Sequence, residues 1–245
     1  MNADYLLIDV GNGRTKFALA TRDALLEQRD APTAELSADT LRATLNNWQW
    51  TRAVASSVVP RATETLRVFI GDALLVLNHE TAHGIGIRYP KPESIGADRL
   101  ANAIALVHLH GAPGIVIDFG TAVTFDIVDR DACYVGGVIA PGLRLMTDYL
   151  HERTALLPQV TLREPESVIG KSTEQAILAG AAIGYRGMVR GLLESLKKEL
   201  GDAVLHVVAT GGDAAWIASG LPEIQVVDED LTLQGLRLVA AGSGS

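Results

Sequence analysis

Two short segments of this chain join apolar strands to aspartate and glycine in the same order. Leu6-Leu7-Ile8-Asp9-Val10-Gly11-Asn12 is matched by Ile115-Val116-Ile117-Asp118-Phe119-Gly120-Thr121. Each returns at once into a second strand-like run, Phe17–Ala20 and Val123–Val128. The pattern predicts a strand, a tight turn and a strand, used twice. Glycine lets such a turn bend sharply and approach a ligand. Its backbone N–H groups can face phosphate oxygens, while the adjacent aspartate can hold a cation. The pair is a candidate two-sided nucleotide clamp.

In the first segment Asp9, Val10, Gly11, Asn12, Gly13, Arg14, Thr15 and Lys16 form one hairpin, with Asp9 and Lys16 able to reach a phosphate chain. An ordinary hairpin turning at Asn12-Gly13 meets the same pattern. It is not a dinucleotide fingerprint, because Lys16 stands where a third glycine is required and a strand follows instead of a helix. In the second, Thr121 and Thr124 add hydroxyls and Asp126 a further carboxylate. Gly96-Ala97-Asp98-Arg99 lies where a helix should begin. There Asp98 is either a first-turn carboxylate balancing the helix dipole or a general base beside a cationic anchor. Thr210-Gly211-Gly212 joins a strand to a helix and can seat a nucleotide. Gly170-Lys171-Ser172-Thr173 resembles a P-loop only superficially: Pro165 replaces the required glycine, and Ser172 reads as a helix cap. His79 and His83 offer a metal-like spacing, but Gly84 and Gly86 argue against a helix that would align them.

These groups need an alternating strand–helix scaffold. Strands are expected at 4–10, 14–20, 24–29, 53–59, 74–77, 114–119, 122–128, 133–139, 204–208 and 224–227. Helices are expected from Ser37 to about Trp48, after Pro60, over 97–110, 143–155, 172–199 and 213–219, and at the C-terminus before a frayed Gly-Ser tail. This alternation is α/β architecture. The turn-forming Gly111-Ala112-Pro113-Gly114 marks a junction, giving domains 1–111 and 112–245. The 172–199 helix carries Gly180, Gly184, Gly187 and Gly191 on one face. Each glycine costs ~1 kcal/mol relative to alanine, so this face needs a close partner, either in the same chain or across a dimer interface.

The chain has 245 residues, 48% of them apolar, and a formal net charge of −8. No basic stripe appears, so nucleic acid is not the expected partner. The single Cys133 rules out an internal disulfide and a thiolate zinc site, which suits a reducing cytosol. No secretory leader or membrane-spanning apolar run is read in the sequence; Glu174, Arg186 and Arg190 interrupt the most apolar helix.

Taken in order, Asp9–Asn12, Gly96–Arg99, Asp118–Ala122, Gly136–Gly142 and Thr210–Gly212 resemble the motifs of type III pantothenate kinases, of the acetate and sugar kinase/Hsp70/actin superfamily. The resemblance covers about residues 5–235. It implies two ribonuclease-H-like domains with a nucleotide cleft between them, and phosphorylation of pantothenate by Mg-ATP at the start of coenzyme A synthesis. Asp9–Lys16 and Thr121 would contact ATP. Asp118 would help hold a monovalent cation, potassium or ammonium. Tyr89, Gly96, Ala97, Asp98, Arg99 and Thr173 would line the pantothenate pocket, with Asp98 the proton acceptor. A cytoplasmic homodimer is implied. One departure stands out: the family usually carries Thr or Ser where this chain has Gly13, so Lys16 and backbone donors must supply that phosphate contact. The competing readings are another small-molecule kinase or phosphatase of the superfamily and a non-catalytic nucleotide-binding regulator.

Overall fold

The computed structural model describes residues 3–201 and 205–242. Its strands are β1 (Tyr5–Val10), β2 (Arg14–Ala20), β3 (Leu25–Pro32), β4 (Arg52–Ser57), β5 (Leu74–Val76), β6 (Gly86–Ile87), β7 (Gly114–Phe119), β8 (Ala122–Val128), β9 (Cys133–Pro141), β10 (His206–Thr210) and β11 (Val226–Val227). Its helices are α1 (Ala38–Thr44), α2 (Pro60–Ile70), α3 (Ala97–Ala105), α4 (Leu143–Arg153), α5 (Thr173–Ala179), α6 (Tyr185–Leu200), α7 (Ala214–Ala218) and α8 (Leu231–Gly242). Wider π turns extend α3 through Leu106–His110 and join α5 to α6 through Gly180–Gly184. Val204 and the last three residues of the expected Gly-Ser tail lie outside the described residues.

Two mixed sheets organise the chain. The first has the order β3-β2-β1-β4-β5 and the second β11-β10-β7-β8-β9-β6. In the first, β1 pairs antiparallel with β2 and parallel with β4. Strand periodicity then divides β1 between two cores. Leu6, Ile8 and Val10 pack in one cluster with Leu41 and Leu66 of α1 and α2. Leu7 packs in the other with Leu100 and Ile104 of α3 and Leu233 and Leu236 of α8. Helices therefore cover both faces of this sheet, as a strand rich in Leu and Ile on both sides requires.

The chain does not divide at a single point near residue 111. One compact unit comprises Met1–Ala112, Asp126–Gly136 and Asp230–Ser245, and the other Pro113–Phe125 and Gly137–Glu229. The return of α8 to the first unit has a packing cause. A Cβ on Gly235 would lie 2.0 Å from the carbonyl oxygen of Ala101, so glycine lets α8 press against α3. Beside it the Thr232 hydroxyl donates to buried Asn102 Oδ1 at 2.8 Å. A junction read from turn chemistry carries no information about such a returning helix.

Two local features differ from expectation. α1 ends at Thr44, four residues before Trp48, and Asn47 takes a left-handed φ of 65°. The Gly/Pro loop before α3 contains a two-residue strand, β6, that pairs with β9. The 172–199 helix forms as expected, capped by the Ser172 hydroxyl, which accepts from the Gln175 N–H at 3.2 Å. Its residues Thr173–Leu200 have the length and hydropathy to cross a membrane by composition alone. Yet Arg186 donates to Glu164 and to the Trp216 carbonyl, and Arg190 pairs with Glu223. This helix is thus tied by its charged residues to neighbouring protein.

Candidate active site

The first hairpin forms in the register its sequence requires. Asp9 lies opposite Lys16 and Val10 opposite Thr15, and the Gly11 N–H closes the turn onto the Arg14 carbonyl at 3.1 Å. Directly opposed residues share a face, so Asp9 and Lys16 stand together while Val10 and Thr15 point into the core. Strand β4 runs alongside in parallel and sets Ser56 beside Asp9. The fully buried Ser56 hydroxyl donates to Asp9 Oδ1 at 2.7 Å. Burial raises the Asp9 pKa above its ordinary value; the Ser56 hydrogen bond and the Lys16 charge oppose that shift, and the nearby Asp98 charge adds to it.

Asp98 sits in the first turn of α3, after Gly96. A Cβ on Gly96 would lie 2.5 Å from Asp98 Oδ1, so only glycine leaves the carboxylate its position. Oδ1 also accepts the Arg99 backbone N–H at 2.9 Å. Burial raises the Asp98 pKa, against the pull of that N–H and of the Arg99 charge. The Arg99 Nε donates to Asp126 Oδ1 at 2.5 Å, and Asp126 is fully buried. The guanidinium lies 5.8 Å from the centre of the Tyr134 ring, within cation–π range. Tyr134 in turn meets Tyr89 edge-on, with ring centres 6.1 Å apart. Gly136 takes a φ of 132° beside the Tyr89 ring. Burial, then the Asp126 charge, pushes the Tyr134 hydroxyl pKa up, so it remains a neutral donor.

In the second unit the glycine turns at Gly142 and Gly211 pack on the Asp118–Thr121 segment. The Gly120 N–H closes the second Asp-x-Gly turn onto the Ala122 carbonyl at 3.2 Å. The Gly142 N–H donates to the Thr121 carbonyl at 3.1 Å, and a Cβ on Gly142 would collide with the Gly120 and Thr121 carbonyls, each at 2.3 Å. Gly211 has a φ of 93°, and a Cβ there would lie 2.6 Å from Asp118 Oδ1. Motifs far apart in sequence thus meet along the Asp118–Thr121 segment, with Thr121 exposed at the turn. The described residues hold no cluster of three or more His, Cys, Asp or Glu side chains able to bind a metal. The half-buried Asp118 carboxylate and the Phe119 carbonyl both lie against Gly211 and are oxygen groups of the kind a monovalent cation takes.

The expected site residues are placed as follows. Asp9, Lys16, Tyr89, Gly96, Ala97, Asp98 and Arg99 belong to the first unit, where Asp9 and Asp98 are electrostatic neighbours. The Val10 and Thr15 side chains are buried beneath the turn, which leaves their backbone to meet a ligand. Arg14 is exposed and ion-paired with Asp30. Asn12 and Gly13 are exposed. Thr121 and Asp118 belong to the second unit, as does Thr173, exposed at the start of α5. Two contributors were not singled out in the sequence: Ser56 and Tyr134. Ser56 lay in a run read only as a strand, and Tyr134 in an alternation that strand packing explains equally well. Asp126 and Arg99 were each visible in the sequence, but their pairing was not.

Two sheets carrying Asp-Gly turns at their strand ends define the class of this fold. It is that of the actin-like ATPases and sugar kinases. An activator of 2-hydroxyisocaproyl-CoA dehydratase from Clostridium difficile, solved with ADPNP, superposes with a TM-score of 0.52 at 11% identity over 97% of this chain and 93% of that one. An inorganic polyphosphate/ATP-glucomannokinase from Arthrobacter gives 0.52 at 14% identity over 98% of each chain. The sequence narrows the class. A family model described as type III pantothenate kinase matches residues 5–195. The type III pantothenate kinase of Akkermansia muciniphila is 50% identical over 96% of this chain and 98% of its own length. That of Rhodospirillum rubrum is 39% identical over 96% of each. The chain belongs to the type III pantothenate kinase family.

Proposed function

We propose that this protein transfers the γ-phosphoryl group of ATP to the primary hydroxyl of pantothenate. The observation that carries the reading is Asp98: a half-buried carboxylate in a notch that only Gly96 leaves open, fixed beside Arg99 and close to Asp9. Phosphoryl transfer requires an aligned acceptor and dispersal of charge over the γ-phosphate. Asp98 accepts the hydroxyl proton as the oxygen approaches phosphorus. Its raised pKa makes it a better base than an exposed carboxylate. Arg99 is held by Asp126 and Tyr134 and supplies positive charge at the anionic substrate, with Tyr89 an apolar wall of the same cluster.

The Asp9–Lys16 turn and Thr121 receive the phosphates of ATP. Lys16 offers a cation, and the glycine-rich turns offer backbone donors. Mg²⁺ bound to ATP supplies charge neutralisation at the phosphates. Asp118 holds potassium or ammonium. Thr173 completes the pantothenate pocket.

The functional unit is a cytoplasmic homodimer, with no membrane or nucleic acid as partner. Its support is the glycine face. A Cβ added at Gly180, Gly184, Gly187 or Gly191 meets nothing within 4 Å, so no element among the described residues packs against these positions. The neighbouring α4 leaves Leu145 and Tyr149 exposed, and Ile183 is exposed between the glycines. Burying that surface against a second copy offsets the helix cost of four glycines.

The test is product analysis with ATP, Mg²⁺ and potassium, offering pantothenate alongside sugars and other small alcohols. The expected product is 4'-phosphopantothenate. Preferential phosphorylation of another acceptor would overturn the assignment.

A further inference from the structure

We propose that Thr33, outside every motif above, is a positioning residue that aims the backbone donors of the first phosphate turn at ATP; the inference rests on the kinase reading of that turn. Thr33 follows β3 and is buried, at 7% exposure. Two hydrogen bonds tie it to the turn. Its backbone N–H donates to the Gly13 carbonyl at 3.0 Å, and its hydroxyl donates to the Gly11 carbonyl at 2.7 Å. A hydroxyl has one proton, already committed to Gly11. In its 3.0 Å contact with the Thr15 hydroxyl, Thr15 is therefore the donor. The result is a buried relay from Thr15 through Thr33 to the Gly11 carbonyl.

The consequence follows from peptide planarity. The Gly11 carbonyl and the Asn12 N–H belong to one trans peptide and point in opposite directions. Gly13 and Arg14 are related in the same way. Drawing both carbonyls toward Thr33 turns the Asn12 and Arg14 N–H groups away from it, on a turn whose Asn12, Gly13 and Arg14 are all exposed. Gly13 gives the turn backbone freedom and supplies no hydroxyl of its own. Thr33 limits that freedom from behind, so the donors are set before ATP arrives.

The experiment compares Thr33→Val, Thr33→Ser and the Thr15→Val/Thr33→Val double variant with the full-length wild type. The readouts are both Michaelis constants, melting temperature and calorimetric titration with ATP. Thr33→Val keeps the shape and the backbone bond and loses the hydroxyl. It is expected to raise the KM and Kd for ATP about tenfold, the scale of one hydrogen bond, and to leave the KM for pantothenate unchanged. Thr33→Ser should restore ATP binding. The double variant removes both sides of the buried hydroxyl contact. It should recover melting temperature lost in Thr33→Val while keeping the weakened ATP binding. Unchanged ATP affinity in folded Thr33→Val, or recovery of ATP affinity in the double variant, would overturn the proposal and leave the kinase reading intact. Failure of the wild type to phosphorylate pantothenate would overturn that reading alone, because the ATP titration would still report on Thr33.

Discussion

The chemistry proposed here depends on a carboxylate that the fold keeps at an energetic disadvantage when charged. Burial raises the pKa of Asp98, and its ionised form is the one a base requires. A folded pKa above the unfolded one means that this group favours folding most below the ordinary carboxylate range, and that the contribution is lost as pH rises through the raised pKa. Asp98→Asn removes that cost, so at neutral pH the variant should melt at a higher temperature than the wild type. Wild-type turnover should rise with pH along an acid limb displaced upward from about 4, the ordinary aspartate value. A limb at the ordinary position, together with an unaltered melting temperature in Asp98→Asn, would show that burial does not tune this group. Gly13 yields a second prediction. A Cβ there meets nothing within 4 Å, and its φ lies outside the left-handed range. Gly13→Thr should therefore be accommodated and, by adding a hydroxyl at the phosphates, lower the KM for ATP several-fold, about 1 kcal/mol. A raised KM would mean that this turn needs glycine for its approach to ATP.

At the scale of elements, the strands were legible because their signal is local. The β1–β2 and β7–β8 segments alternate apolar runs with Asp-Gly turns, and the register Asp9 opposite Lys16 follows from the length of the turn. Ser172 and Pro60 marked two helix starts correctly for the same reason. What depended on distant pairing was not legible. Ser56 reaches Asp9 only because β4 pairs parallel with β1 in one register. Arg99 meets Asp126 across 27 positions of sequence. The packing of Gly142 and Gly211 on the Asp118–Thr121 segment likewise needs strand ends that are set by the sheet. That packing makes the cation prediction an element-scale one. A cation held at Asp118 should make activity in potassium far exceed activity in sodium or in a bulky organic cation, and Asp118→Asn should erase the difference. Equal wild-type rates in the three buffers would remove the cation from the account.

For the whole molecule, the sequence left the partner of the glycine face open between the same chain and a second copy. The absence of any neighbour within 4 Å of the four glycine positions, among the described residues, favours the second copy. Gly184→Leu should dissociate the dimer, as read by light scattering, and raise the KM for pantothenate more than that for ATP, because Thr173 begins the same helix. An intact dimer with unchanged pantothenate kinetics would place the interface elsewhere. Residue, turn and assembly serve one reaction in this account, and its central claim is that Asp98 takes the proton. The most direct measurement is the turnover number of Asp98→Asn at saturating ATP, Mg²⁺, potassium and pantothenate, with ATP binding followed in parallel. The account predicts a fall of about 10²–10⁴ in turnover with ATP affinity retained. Near-normal turnover in the folded variant would contradict it.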